Sequence, residues 1–384
     1  MIDRLPMGCA SERMNGPLPG RERRSGAVVG GLPGGQRGAM PATVTTPDTA
    51  PTDAGAPLRV GFVGAGWAAG EHARTVAEAP DAEVVAVVDI QPERSAELAA
   101  ATGARACATV DELLSMELDA LVVGTPPGAR QDIVVEALEA GLAVFTEKPI
   151  SRTLAEARAI IEAAERTGVP CAIGYQWRAV AALDALDAAL DGQEIGMLSS
   201  RGVGVSQARD WYRDPVQSGG LVSERGTHHI DLQRRVAGEV RSVAAIRGGA
   251  ALSGLDQPEG TLREDLICLV LDFESGAVGT VVVAWARPTH TREQTLSVLS
   301  SDGSYLLKLD PDFTLAGTTG TEPVSGGGGA HPFSQQITTF LAAARSGDAT
   351  SVWCTPRQAA GSLAVALACG SAFDLGGSVP VEPV

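Results

Sequence analysis

Three clusters in this 384-residue sequence carry residue types that can do chemistry. The first is Gly64-Ala65-Gly66-Trp67-Ala68-Ala69, directly after the apolar run Leu58-Arg59-Val60-Gly61-Phe62-Val63. In such a string Gly64 permits a tight turn, Gly66 lets backbone approach a pyrophosphate, and Ala69 allows close helix–strand packing. A helix opening there would add N–H groups and the positive end of its dipole. Asp89 lies 25 residues beyond Gly64, at the end of a second apolar run, where an acid can accept a ribose 2′-OH. Glycines alone would also suit a plain strand–helix turn. Together with Asp89 they point to a dinucleotide lying against Gly64, Ala65, Gly66, Trp67 and Ala68. Asp89 would repel a 2′-phosphate, which favours NAD while leaving NADP open.

The second cluster is Glu147-Lys148-Pro149, at the end of the run Leu142 to Thr146. Ligands of doubly wound domains bind at the carboxyl ends of strands, so Glu147 and Lys148, with Thr125 and Pro126 ending the previous strand, would border the cofactor. An ammonium there can hydrogen-bond a substrate oxygen; a surface lysine in a turn is the plain alternative. The third cluster follows Gly219-Gly220 and contains Glu224, His228, His229 and Asp231. On a helix Glu224 and His228 are i and i+4 and share a face, with Asp231 three further on. A histidine among carboxylates is suited to take a proton near neutral pH. Those acids equally suit ion pairs with Arg225 and Arg234. His229, rotated about 100° from His228, would have a different task.

The elements that must position these residues follow from the hydrophobic pattern. From Leu58 to Gly174 short apolar runs alternate with helical segments, among them Trp67 to Ala79, Pro92 to Thr102, Arg130 to Ala140 and Leu154 to Thr167. That rhythm implies βαβ units and a doubly wound parallel sheet. Beyond Tyr175 helices near 179–190 and 222–236 flank an irregular stretch. Strand-like runs follow at 242–247, 265–273, 278–286, 294–299 and 305–309, with tight turns at Glu274-Ser275-Gly276 and Ser301-Asp302-Gly303. Strands joined in this way imply a largely antiparallel sheet. Two helices, near 332–345 and 356–373, close the chain. The expected fold is therefore α/β: a Rossmann domain over 58–175, then a substrate-binding and oligomerisation α/β domain over 176–384 with a large open sheet. The closing helices would pack back on the first domain.

The first 57 residues, rich in Gly, Pro, Ala, Thr and Arg, have no helical or strand period and read as a disordered or non-native extension, with Met40 as an alternative start. Arg23-Arg24 before a short, glycine-broken apolar stretch faintly resembles a twin-arginine export signal; cytoplasmic residence is the expectation. A net charge of −16 argues against nucleic acid or an anionic membrane surface as partner. The six cysteines are scattered without metal-ligand spacing, so no metal site and no disulfide framework is expected. No apolar run approaches the roughly 20 residues of a membrane span.

Taken together, Gly64-x-Gly66, Thr125-Pro126-Pro127, Glu147-Lys148-Pro149 and Glu224-x-x-x-His228-x-x-Asp231 resemble the glucose–fructose oxidoreductase and inositol dehydrogenase family, often called Gfo/Idh/MocA. The resemblance covers Leu58 to the C-terminus. It implies NAD(P)-dependent hydride transfer to or from a secondary alcohol or ketone of a sugar, cyclitol or sugar derivative. Lys148 and His228 would flank the reacting carbon, with Glu224 assisting. Tyr175, Arg178, Trp211 and Asp231 would line the substrate, and the open sheet would pair subunits into a homodimer or homotetramer. The chain departs from the family by carrying Glu224 where Asp is common and Arg130 where many members have His. An NAD-dependent glycosidase with transient oxidation, a nucleotide-sugar keto-reductase and a non-catalytic NAD-binding regulator are the alternatives.

Overall fold

The computed structural model of the chain describes residues 55–205, 218–249, 252–254 and 264–384. The expectations for 1–54 and for Trp211 lie outside the described residues. The first layer of structure is a parallel six-stranded sheet, ordered β3-β2-β1-β4-β5-β6. Its strands are β1 (Leu58–Val63), β2 (Ala82–Val88), β3 (Arg105–Ala106), β4 (Ala120–Val123), β5 (Ala143–Glu147) and β6 (Cys171–Gly174). Five helices connect them: α1 (Trp67–Glu78), α2 (Pro92–Thr102), α3 (Val110–Leu114), α4 (Gln131–Glu139) and α5 (Leu154–Thr167). With helices on both faces, the central strands are apolar throughout; Val60, Phe62, Leu121, Val122 and Val144 are fully buried. Local chemistry sets the helix ends. Thr153 and Glu156 form a reciprocal capping box for α5, and Gly103 and Gly168 take the left-handed conformation that closes α2 and α5.

Beyond α6 (Ala182–Ala189) lies a nine-stranded sheet of β7 (Ile195–Val205), β8 (Val240–Gly248), β9 (Leu266–Phe273), β10 (Val278–Ala286), β11 (Glu293–Ser300), β12 (Gly303–Lys308), β13 (Thr314–Thr319), β14 (Glu322–Gly326) and β15 (Ser378–Pro380). Its order is β14-β13-β12-β11-β7-β10-β9-β8-β15, antiparallel except where β7 runs parallel to β10. The central helix α7 (Thr227–Ala237), entered through a π-helical turn at Val222–Gly226, lies on one face of this sheet. The last two helices, α8 (Pro332–Ser346) and α9 (Pro356–Leu375), pack on the first layer. Ile337, Phe340 and Leu341 of α8 share a core with Ala69, Ala73 and Val76 of α1, and Ala360, Leu363 and Ala364 of α9 share one with Ile160 and Ile161 of α5.

Among the described residues α9 alone reaches the length and mean hydropathy of a membrane span, against the sequence expectation that no segment would. Its apolar surface is mostly covered by α5 and β8. The five described cysteines are free thiols, and no group of three or more potential metal ligands gathers among the described residues.

Candidate active site

The glycine turn sits at the carboxyl edge of the parallel sheet. Gly64 has φ +93°, and a Cβ there would lie 3.0 Å from the carbonyl carbon of Gly124, so only glycine fits. At Gly66 a Cβ would project into open space. A Cβ at Gly124 would meet that of Ala69 at 3.0 Å, which is the close packing of α1 on the sheet that the small residue permits. The α1 N-terminus has no side-chain cap and no acid in its first turn, whereas α5 and α9 begin with full capping boxes. Uncapped N–H groups and a positive dipole end suit an anion. Asp89, just past β2, accepts from Ala65 N (2.7 Å) and Gln91 N (2.8 Å), so its carboxylate is fixed beside the turn. The buried Thr125 hydroxyl, on the opposite strand end, has no hydrogen-bond partner within the protein. These residues fit a dinucleotide. Trp67, 62% exposed, leans on Phe333 of α8 at 5.4 Å between ring centroids.

At the end of β5 the two charged residues part ways. The Glu147 carboxylate turns inward and meets His72 Nε2 at 2.8 Å, and a Cβ on Gly174 would lie 3.0 Å from it. Burial alone would raise the Glu147 carboxyl. The hydrogen bond and charge of His72, with Lys148 and Arg130 behind them, instead hold it below the ordinary range. The expectation that Glu147 borders the cofactor is corrected accordingly: its side chain is spent on α1. Its neighbour Lys148 instead reaches the π-helical turn and donates to the Glu224 carbonyl (3.0 Å) and carboxylate (3.2 Å). Only two of the chain's 30 cationic residues are lysine, Lys148 and Lys308. An ammonium at 148 therefore departs from the chain's own usage, and it is a compact donor whose proton can move, which a guanidinium is not.

The segment carrying Glu224 and His228 presents two interior stripes. Arg225, His229 and Gln233 face the nine-stranded sheet, where Gly204, Gly202 and Gly279 leave room for them. There His229 Nε2 pairs with Gln294 Oε1 at 3.0 Å, and Gln233 donates to Ser200 Oγ and the Thr280 carbonyl at 2.8 Å. Glu224, Thr227 and Asp231 face the Rossmann layer, paired with Lys148, Tyr175 and Arg178 in turn. Between the stripes is His228, half-buried, its ring 5.1 Å from Trp177 and 5.9 Å from Tyr175. Burial, followed by the charges of Lys148, His229 and Arg225, pushes His228 well below its ordinary pKa of 6.5. The imidazole is therefore neutral at physiological pH. Glu224 turns to Lys148 in the π-helical turn, so the helical i, i+4 relation to His228 ends in a carboxylate serving the lysine.

Three expected substrate contacts are placed differently. Tyr175 is 2% exposed, its hydroxyl bonded to Thr227 Oγ1 at 2.7 Å. Arg178 and Asp231 form a bidentate pair (2.7 and 2.9 Å), and Ser362 of α9 donates to Asp231 at 2.8 Å. These side chains are consumed by one another and fasten α7 to the Rossmann layer and to α9; they are corrected from substrate wall to scaffold. Sequence reasoning missed two residues that matter here. His72 sits within the apolar stripe Ala69, Ala73 and Val76, and a histidine on such a face needs a buried polar partner, which is Glu147. Glu264 accepts from Leu221 N at 2.9 Å and so anchors the start of the π-helical turn; no local pattern marks it.

The family is established by comparison. Residues 58–175 match the model of an oxidoreductase family with an NAD-binding Rossmann fold, and 194–373 match the same family's C-terminal alpha/beta domain. The chain belongs to this Gfo/Idh/MocA family. It is similar to inositol 2-dehydrogenase of Rhizobium meliloti (28% identity, over 64% of this chain and 74% of the relative). It is also similar to inositol 2-dehydrogenase 2 of Saccharopolyspora erythraea (28%, over 85% and 96%). In fold it is similar to a levoglucosan dehydrogenase solved with NADH and L-sorbose, with TM-score 0.75 at 19% identity over 86% of this chain and all of the other.

Proposed function

We propose that the chain is an NAD-dependent oxidoreductase acting on a secondary alcohol or ketone of a sugar- or cyclitol-like molecule. Residues 58–175 bind the coenzyme and 176–384 supply most of the substrate site. The observation that supports this reading is that Lys148, at the carboxyl edge of the parallel sheet, reaches Glu224 on the turn leading into α7, near enough to His228 for its charge to lower the imidazole pKa. The coenzyme would lie on Gly64 to Ala68, with Asp89 at the ribose and Thr125-Pro126 beside the nicotinamide. When bound it supplies the carbon that accepts or returns hydride. In oxidation neutral His228 takes the hydroxyl proton, and Lys148 orients that oxygen and stabilises negative charge as it develops. Glu224 holds the ammonium in place. The names of the relatives, dehydrogenases of inositol and levoglucosan, support a polyhydroxylated substrate.

The outward face of the nine-stranded sheet leaves Met197, Val270, Val278, Val282, Leu299 and Leu306 exposed, which supports a homodimer or homotetramer built on that face. Sedimentation as a monomer at working concentration would remove that part. We assign the chain to the cytoplasm, as its relatives are metabolic dehydrogenases. The main test is absorbance at 340 nm with NAD or NADP against a panel of sugars, cyclitols and their keto forms. A substrate-dependent change is expected in wild type. Lys148→Ala and His228→Ala should keep coenzyme binding and lose about 10²–10⁴-fold in turnover; normal rates in both would end the assignment.

A further inference from the structure

Arg130 is 2% exposed, and its guanidinium spans three backbone carbonyls. Nη1 donates to the carbonyl of Glu147 and, at 2.6 Å, to that of Pro149; Nη2 donates to the carbonyl of Thr125. Two of these carbonyls belong to the residues immediately before and after Lys148. The third belongs to the turn that leaves β4, where Thr125 N lies against Gly64 across the glycine turn. One planar cation thus joins the cofactor edge of β4 to the peptide group that enters the lysine and to the one that leaves Pro149.

A buried cation held largely by carbonyl dipoles is costly to keep. Burial lowers its pKa to about 10, and the more distant charges of Glu147, Glu224 and Tyr175 oppose that fall, so it stays charged at neutral pH. A neutral amide has too few donors to span three acceptors, whereas the fork of a guanidinium presents five. Lysine has a flexible four-carbon stem, so placing its ammonium takes a fixed root as well as a held tip. Glu224 holds the tip.

We propose that Arg130 is the positioning residue of Lys148, fixing the root of the catalytic lysine and tying it to the cofactor edge of the sheet. Its effect on turnover rests on the oxidoreductase reading above; its effect on the lysine does not. Because the chain has two lysines, competitive acylation followed by mass spectrometry reads Lys148 against exposed Lys308 as an internal standard.

The variants are Arg130→Met, which keeps bulk without donors, and Arg130→Lys, which keeps a charge and three donors. In Arg130→Met the Lys148:Lys308 acylation ratio should rise about tenfold, and kcat should fall about 10²-fold, the cost expected of a displacement near 1 Å. The Kd for NADH, from a fluorescence titration, should change less than about threefold, since kcat and not coenzyme binding depends on the lysine. Arg130→Lys should restore the acylation ratio and most of kcat. Wild-type acylation and kcat in Arg130→Met would overturn the proposal, and so would an Arg130→Lys protein that folds but recovers neither. If Arg130→Met does not fold, Arg130→Lys alone decides: kcat within about tenfold of wild type supports positioning, and a loss as large as that of Lys148→Ala overturns it. A wild-type protein that turns over nothing would defeat the oxidoreductase reading while the acylation ratio still judges Arg130.

Discussion

Replacing Asp231 by Asn separates a scaffold role from a substrate role at one position. The Asp231 carboxylate takes two hydrogen bonds from Arg178, at 2.7 and 2.9 Å, and a third from Ser362 at 2.8 Å; it is 2% exposed and its partner 4%. Burial by itself would lower the Arg178 pKa, yet the charge of Asp231 and the hydrogen bonds to it lift it above the ordinary value, so the guanidinium stays charged. Asn keeps the shape, removes the charge, and leaves Arg178 buried against an amide. Breaking a buried pair from one side costs about 3–5 kcal/mol. Arg178 retains Gln358 Oε1 at 3.1 Å, so the lower end, about 3 kcal/mol, is expected. In a protein of this size, with an unfolding entropy of about 2.1 cal/mol/K per residue, that is a fall in Tm of roughly 4 °C. Removing both charges, as Arg178→Met with Asp231→Leu, should recover most of the loss, because a buried pair exchanged for apolar groups is often neutral. The assays are thermal and urea denaturation beside steady-state kinetics. An unchanged Tm with a tenfold higher KM in Asp231→Asn would mean that Asp231 meets the ligand, and the scaffold argument would be wrong.

Three further outcomes follow from the same geometry. Asp89→Ser should weaken NAD by about tenfold and narrow the gap to NADP, read from the two dissociation constants; an unchanged ratio would place Asp89 away from the ribose. His229, which burial holds at a pKa of about 3, binds a proton in the unfolded chain below about 6.5 but not in the folded one. Between those values stability must therefore fall as pH falls, by about 1.4 kcal/mol per unit for this group, and His229→Gln should remove one proton's worth of that slope in urea unfolding across pH 6 to 4. Finally, a Cβ on Gly202 would lie 2.5 Å from His229 Nε2 and 2.9 Å from Gln294 Oε1, so Gly202→Ala should cost about 1–3 kcal/mol in urea unfolding; wild-type stability would mean that α7 lies less closely on the sheet.

The residues proposed for the chemistry were more legible than the residues that hold them. The Rossmann layer could be read because each of its signals is local. β1, α2 and α5 coincide with their expected ranges, since buried runs, an early proline and a terminal glycine act within a few residues. Lys148 is singled out by its place at a strand end and His228 by its spacing from Glu224 and Asp231, and the family resemblance gives both their expected roles. Tyr175, Arg178 and Asp231 were misplaced for a reason that sequence cannot show: a polar side chain near a site looks the same whether it faces ligand or a partner from a distant segment, and Arg178 and Asp231 are 53 residues apart. His72 and Glu147, 75 apart, escaped for the same reason.

The strand β7 makes the point in the other direction. Ile195–Val205 contains three glycines and two serines and falls within the stretch expected to be irregular; glycine is depleted in strands. Its inner face, Leu198, Ser200, Gly202 and Gly204, is small because α7 lies directly on it. Ser200 receives Gln233, and the glycines make way for His229 and Arg225. The neighbouring ladders with β10 and β11 supply the strand order that propensity does not. The same small residues that hid the strand therefore seat the helix bearing His228, with Glu224 on the turn before it. A low strand propensity at the centre of a sheet is, in this chain, the trace left in the sequence by the helix packed on it.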